Sequence, residues 1–138
     1  MSELVRRARA TEKTLAKYRF RPFDWRGATC IHLARTQMRN MGHRPPPIPR
    51  FWSIIGARRA LADRGLECVA DLLDQIGLPR IPPGMMLVGD LAAVPGQAGM
   101  DAIFVNAGGK LLGWREDHDG GIVPVADALP HVTAAWRL

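Results

Sequence analysis

Leu4, Ala8, Thr11, Leu15 and Tyr18 recur at the spacing of one helical stripe, with Arg6, Arg7, Arg9, Lys13 and Lys17 mostly on the other sides. The pattern predicts a first helix from a Ser2 cap to about Tyr18. Arg21-Pro22 breaks it, because proline restricts the residue before it. Thr29 caps a predicted second helix from Cys30 to about Met41, with Ile31, Ala34, Met38 and Met41 as its apolar face and Gly42 as its stop. Pro45-Pro46-Pro47-Ile48-Pro49 is a stiff, extended connector crossing the surface of one domain. Further helices are predicted over about Ser53–Asp63 and about Cys68–Ile76, ending near Gly65 and Gly77.

From Pro79 onward the pattern changes to short apolar runs between glycines and prolines, the signature of strands. Met85–Val88, Leu91–Val94, Ala102–Asn106, Lys110–Trp114, Gly121–Val125 and about Thr133–Leu138 are the predicted strands, with a helical turn near Asp127–His131. Ala107-Gly108-Gly109 is a hairpin signal. Helices followed by antiparallel strands give an α+β fold, and 138 residues suit a single domain with its own core.

Charge divides the chain. Residues 1–60 hold 14 Lys and Arg against 3 acids, and residues 61–138 hold 5 against 10. This predicts a surface with a basic and an acidic pole, fit to stack on neighbours in an assembly or to bind nucleic acid through the basic first helix. No segment is apolar enough to span a membrane, and the N-terminus lacks a signal-peptide core, so synthesis in the cytoplasm is expected. Cys30 and Cys68 are too few for a disulfide framework; one bridge is possible and nothing demands it.

The chemistry centres on Phe23-Asp24-Trp25-Arg26-Gly27-Ala28-Thr29-Cys30, an aromatic turn delivering a cysteine to a helix start. A helix N-terminus favours the thiolate, so Cys30 is the candidate nucleophile, with a buried core cysteine as the plain alternative. Cys68, beside Val69, reads as core. His32 lies on a different face of its helix from Cys30, His43 follows the helix stop, and His118 sits in the polar turn Glu116–Gly120. His131, ahead of the last strand, is the only histidine whose position could bring it to the cleft as a base. No His or Cys pair has metal-ligand spacing, and neither the Glu116–Gly120 turn nor Ala107–Lys110 has the pattern of a calcium or phosphate loop; no metal or cofactor is expected. Phe51-Trp52 and Trp114 read as anchors, either of the core or of an interface.

The order of these elements resembles the NlpC-type, papain-like cell-wall cysteine peptidases, in which a cysteine opens a helix packed on a small antiparallel sheet. Pro83–Leu91, with Gly89-Asp90, is similar to that family's Gly-Asp-Leu segment, and Met100–Gly109 to the strand carrying its catalytic histidine. More closely, residues 20–138 resemble a group of small tailed-phage proteins of this fold, through Phe23-Asp24-Trp25-Arg26-Gly27, Gly89-Asp90, Gly108-Gly109 and Ala134-Ala135-Trp136-Arg137. The resemblance implies a basic N-terminal helix (1–21) before an NlpC-like domain (22–138), and partners among tail proteins at the tip, hub or tape measure. It also implies residence in the virion tail.

The departures are chemical. Where the resemblance places histidine, the chain has Met100 or Asp101, and Thr29 stands where these phage proteins often carry an acid. Methionine takes no proton, and an aspartate of pKa about 4 is a poor base for a thiol of about 8.5. The expectation is therefore a catalytically degenerate domain, Cys30 marking a vestigial nucleophile position, that serves as a structural part of a phage tail. The alternative is an active cysteine peptidase or amidase cutting cell-wall peptides, with Cys30 as nucleophile and His131 as the candidate base.

Overall fold

The computed structural model describes residues 2–96 and 99–138. They form α1 (Glu3–Tyr18), α2 (Cys30–Asn40), α3 (Ile54–Ala62), α4 (Val69–Gln75), β1 (Arg80–Ile81), β2 (Leu91–Pro95), β3 (Asp101–Asn106), β4 (Leu111–Gly113), β5 (Val123–Val125) and β6 (Ala134–Trp136). The class is α+β, and the strands make one six-stranded antiparallel sheet in the order β1-β6-β2-β3-β4-β5.

Local chemistry accounts for the helix boundaries. Ser2, Thr29 and Ser53 each accept a first-turn backbone N–H through the side-chain oxygen. Gly42, Gly65 and Gly77, just past α2, α3 and α4, all have positive φ.

The pleat of the strands divides the interior in two. Leu91, Ala93, Ile103, Val105, Leu112, Ala134 and Trp136 face the helices and form the main core with Tyr18, Leu33, Met38, Leu61 and Leu73. Ala92, Val94, Phe104, Leu111 and Val125 face the other way, under a 3-10 helix at Ala126–His131. Ala10 and Tyr18 place α1 in the main core, packed against α2.

The structure corrects two expectations. The buried stripe of α1 is Arg7, Ala10, Thr11, Thr14 and Tyr18, while Leu4 is 65% exposed. Arg7 turns inward because buried oxygens await it: its Nη1 donates to Asp90 Oδ1 and to the carbonyl of Val88, and its Nη2 to that of Leu138. Met85–Val88 is not a strand. A 3-10 turn at Pro83–Met85 is followed by a bend, in which the Leu87 N–H donates to Asp90 Oδ2. The two-residue β1, lying between prolines, had no alternating pattern to announce it.

Candidate functional site

The aromatic turn closes on itself before α2. Asp24 and Ala28 form an isolated antiparallel bridge, and Asp24 Oδ1 accepts the Arg26 N–H at 2.9 Å. The turn leads into Thr29, whose hydroxyl accepts the His32 N–H, while the Thr29 N–H donates to His32 Nδ1 at 3.3 Å. This capping box, with histidine in place of the usual Glu or Gln, makes Cys30 the first residue of α2.

Two effects compete at the Cys30 sulfur. Backbone N–H groups at the helix start and at Ile103 of β3 favour the thiolate. Burial opposes them and wins, with a smaller contribution from the charge of Asp101, so the thiol is pushed up to about 11. Cys30 keeps some surface as a residue, yet its sulfur is closely surrounded by protein. The Cys68 thiol is also raised, first by burial, and both cysteines are free.

Asp101 stands where the histidine was expected, on the helix-facing side of β3 with Ile103 and Val105. Its carboxylate is fully engaged: Oδ1 accepts the Val69 N–H and Oδ2 the Ala70 N–H, both at 2.8 Å. These are the first amides of α4, whose own N-cap residue, Cys68, makes no capping hydrogen bond through its side chain. Asp101 thus caps a helix more than thirty residues away in sequence. No local motif could have announced this cap, because donor and acceptor meet only in the folded chain.

The histidines lie elsewhere. His32 is tied to Thr29 and packs its ring 6.0 Å from that of Phe51. Its pKa is lowered first by burial and then by Arg21, Lys17 and Arg35. His131, the candidate base, lies in the 3-10 helix across the sheet and lines a cleft there with Val94, Phe104 and Val125. Those side chains occupy the face opposite Ile103, which borders Cys30, so the sheet separates His131 from the thiol. His43 lies beyond the far end of α2, and His118 is exposed in the polar turn.

The Gly89-Asp90 pair builds a second centre, buried and structural. Gly89 has φ of +93° and lies so close to Gln37, Thr11 and Met41 that a side chain would crowd them. Asp90, fully buried, accepts Arg7 Nη1 and the Leu138 N–H on one oxygen, and Arg137 Nε and the Leu87 N–H on the other. The Ala134–Arg137 segment closes the same centre, with Trp136 fully buried and its Nε1 donating to Asp74 at 2.9 Å.

The charge picture also changes. Several acids of the second half are engaged by the fold: Asp90, fully buried, by Arg7 and Arg137, Asp101 by the amides of α4, and the exposed Asp74 by Arg80 and Trp136. The salt bridges among the described residues involve Arg6, Arg7, Arg80, Arg115 and Arg137, and none of the other basic residues. Most of the arginines of the helical layer therefore face solvent without a carboxylate partner. Of the exposed acids of the second half, Glu116, Asp117, Asp119 and Asp127 lie on the strand side, and Asp63, Glu67 and Asp74 on the helical side.

A ladder of edge-on rings, Tyr18–Trp114–Phe23–Trp25–Phe51, with centroids 5.0 to 6.1 Å apart, runs between these regions. At its last rung Phe51 is buried, a core anchor, while its neighbour Trp52 is 62% exposed and outside the core. No helix among the described residues is long and apolar enough to cross a membrane. None of their His, Cys, Asp and Glu groups is arranged to hold a metal ion.

No curated protein matches the chain. A family model described as a domain of unknown function, DUF6950, matches residues 4–138, nearly the full length and including α1, and the chain belongs to that family.

Proposed function

We propose that this protein is a structural or assembly component of a phage tail, in the tip region, built on a catalytically degenerate NlpC-like fold. It is made in the host cytoplasm and carried in the virion, in contact with other tail proteins. The observation that carries the reading is the fate of Asp101. At the position where the resemblance calls for the catalytic histidine, a carboxylate is consumed in capping α4. Cys30 meanwhile sits at a helix start with its pKa pushed up to about 11, far from the thiolate a papain-like mechanism needs. The elements that match the phage proteins serve the fold: Gly89-Asp90 and Arg137 meet in one buried network with Arg7.

A fold relieved of catalysis is free to act as a rigid part. The exposed Trp52 and the unpaired arginines of the helical layer supply the kind of surface that grips a neighbour. Mass spectrometry of purified particles and electron microscopy of a deletion mutant test the proposal. Presence in the particle and defective tails are expected. Particles without the protein, together with normal tails on its deletion, would refute it.

A further inference from the structure

Trp52 and Ile55 stand out from the helical layer, 62% and 67% exposed. Trp52 lines two clefts of about 320 and 430 Å³, one holding Arg26 and Arg50, the other Arg50, Arg59 and Arg64. One carboxylate, Asp63, lies in the second cleft, and none of these arginines takes part in a salt bridge of the described residues. This is an apolar knob ringed by cations.

The far side of the sheet carries a cleft of the opposite charge. A cleft of about 670 Å³ has Val94, Phe104, Val125 and Ala128 among its lining, with Glu116, Asp117 and Asp127 also on its wall. Arg115 is the single arginine among the described residues there and pairs with both Asp117 and Asp127, whose side chains stay 70% and 71% exposed. The lining is thus apolar and net negative. Knob and cleft lie on different sides of one sheet and cannot meet within a chain.

We propose that the chain associates head to tail, the Trp52–Ile55 knob of one copy entering the acid-rimmed cleft of the next, with the arginines around Trp52 facing Asp117 and Asp127. Each copy offers one knob and one cleft, so the contact is heterologous and propagates into a ring or a short stack. This deepens, and for its biological meaning rests on, the assembly role proposed above. A second copy is the occupant chosen because an exposed apolar surface ringed by arginines and an apolar cleft rimmed by acids, opposite in charge, are both present on one chain. Arginine and tryptophan are the residues that most often dominate such interfaces.

The test is sedimentation velocity on the full chain at about 0.1 M and about 1 M salt, where the Debye length falls from about 10 Å to about 3 Å. Concentration-dependent association, weaker at high salt, is expected. Trp52→Ala and Asp127→Arg should each weaken it by about thirtyfold or more. Arg59→Glu, an exposed change on α3, should do the same without touching the aromatic ring. Mixing Trp52→Ala, whose cleft is intact, with Asp127→Arg, whose knob is intact, should give dimers and nothing longer. A chain that stays monomeric at about 1 mM, too weak a contact to matter, would overturn the proposal. So would association that survives both variants, a mixture that stays monomeric, or a monomer whose Trp52 is instead quenched by an oligothymidylate. Failure here leaves the tail role standing if the protein is found in particles. Association of a protein absent from particles would refute the tail role alone.

Discussion

The guanidinium of Arg7 on α1 donates to the fully buried carboxylate of Asp90, 83 residues away, at 2.9 Å. The same guanidinium reaches the carbonyls of Val88 and Leu138, so one side chain ties the first helix, the Gly-Asp segment and the residues just past the last strand together. A charge removed from water at both partners is held by multiple hydrogen bonds, and losing either partner strands the other.

Arg7→Met should therefore cost about 3–5 kcal/mol, the range for breaking a buried pair on one side. Arg6→Ala, one residue away, should cost about 1 kcal/mol or less, because its Glu3 pair is largely exposed. Urea denaturation of the two variants measures the contrast. Similar losses in both would mean that Arg7 is not the buried tie described here.

The helices were legible in the sequence to within a residue or so because their signals are local: Ser2 and Thr29 as caps, Gly42, Gly65 and Gly77 as stops. Most strands were legible from apolar runs between turn residues. Hidden were the features made by distant residues. Arg7 faces inward because the Asp90 carboxylate awaits it, and the Met85–Val88 segment, apolar enough to read as a strand, is bent where the Leu87 N–H meets Asp90. At the candidate site the cysteine at a helix start was legible and the absence of a histidine at Met100/Asp101 was legible. The capping of α4 by Asp101 was not, since it exists only once β3 and α4 have docked.

Cys30 gives a prediction about pH. In a Cys68→Ala background, alkylation of Cys30 in the native protein should be slow below pH 9 and rise toward about 11, the value to which burial pushes the thiol. The linkage has the matching sign. A thiol pKa raised on folding stabilises the native state fully below the ordinary thiol value of 9.0, and that contribution is lost as pH rises through about 11. Cys30→Ala should thus flatten the alkaline decline of the thermal midpoint. Rapid alkylation at or below pH 7 would instead reveal an activating partner and bring the peptidase or amidase reading forward.

His32 predicts the opposite end of the scale. Its pKa is lowered by burial first, then by Arg21, Lys17 and Arg35, so the unfolded chain binds the proton better. Stability from this group is present above the ordinary value of 6.5 and is lost as pH falls through the depressed folded value. His32→Gln keeps the capping-box geometry without a titrating ring. Thermal midpoints from neutral pH down to about pH 5, a range that spans the ordinary histidine pKa, should fall less steeply for the variant than for the parent. Parallel curves would remove His32 as the source.

The contact between α1 and the strand region gives a steric prediction. Gly121 is buried, and a Cβ built on it would collide with the backbone of Tyr18 and Arg19, atoms that cannot swing aside as a side-chain tip could. The next residue, Ile122, donates its N–H to the Tyr18 carbonyl at 3.1 Å, so a shift large enough to admit a methyl group also stretches that bond. Gly121→Ala should cost about 1–3 kcal/mol, the range for overpacking, and speed exchange of the Ile122 amide. Gly84, in the 3-10 turn, has no positive φ, and a methyl group added there would meet nothing within 4 Å. Gly84→Ala should therefore stay within about 0.5 kcal/mol of the parent. Because Gly121 follows the Glu116–Gly120 turn directly, loosening it also frees the acidic rim of the cleft. The variant should then weaken head-to-tail association even where it remains folded, and intact association in a Gly121→Ala protein with a fast-exchanging Ile122 amide would separate the two effects.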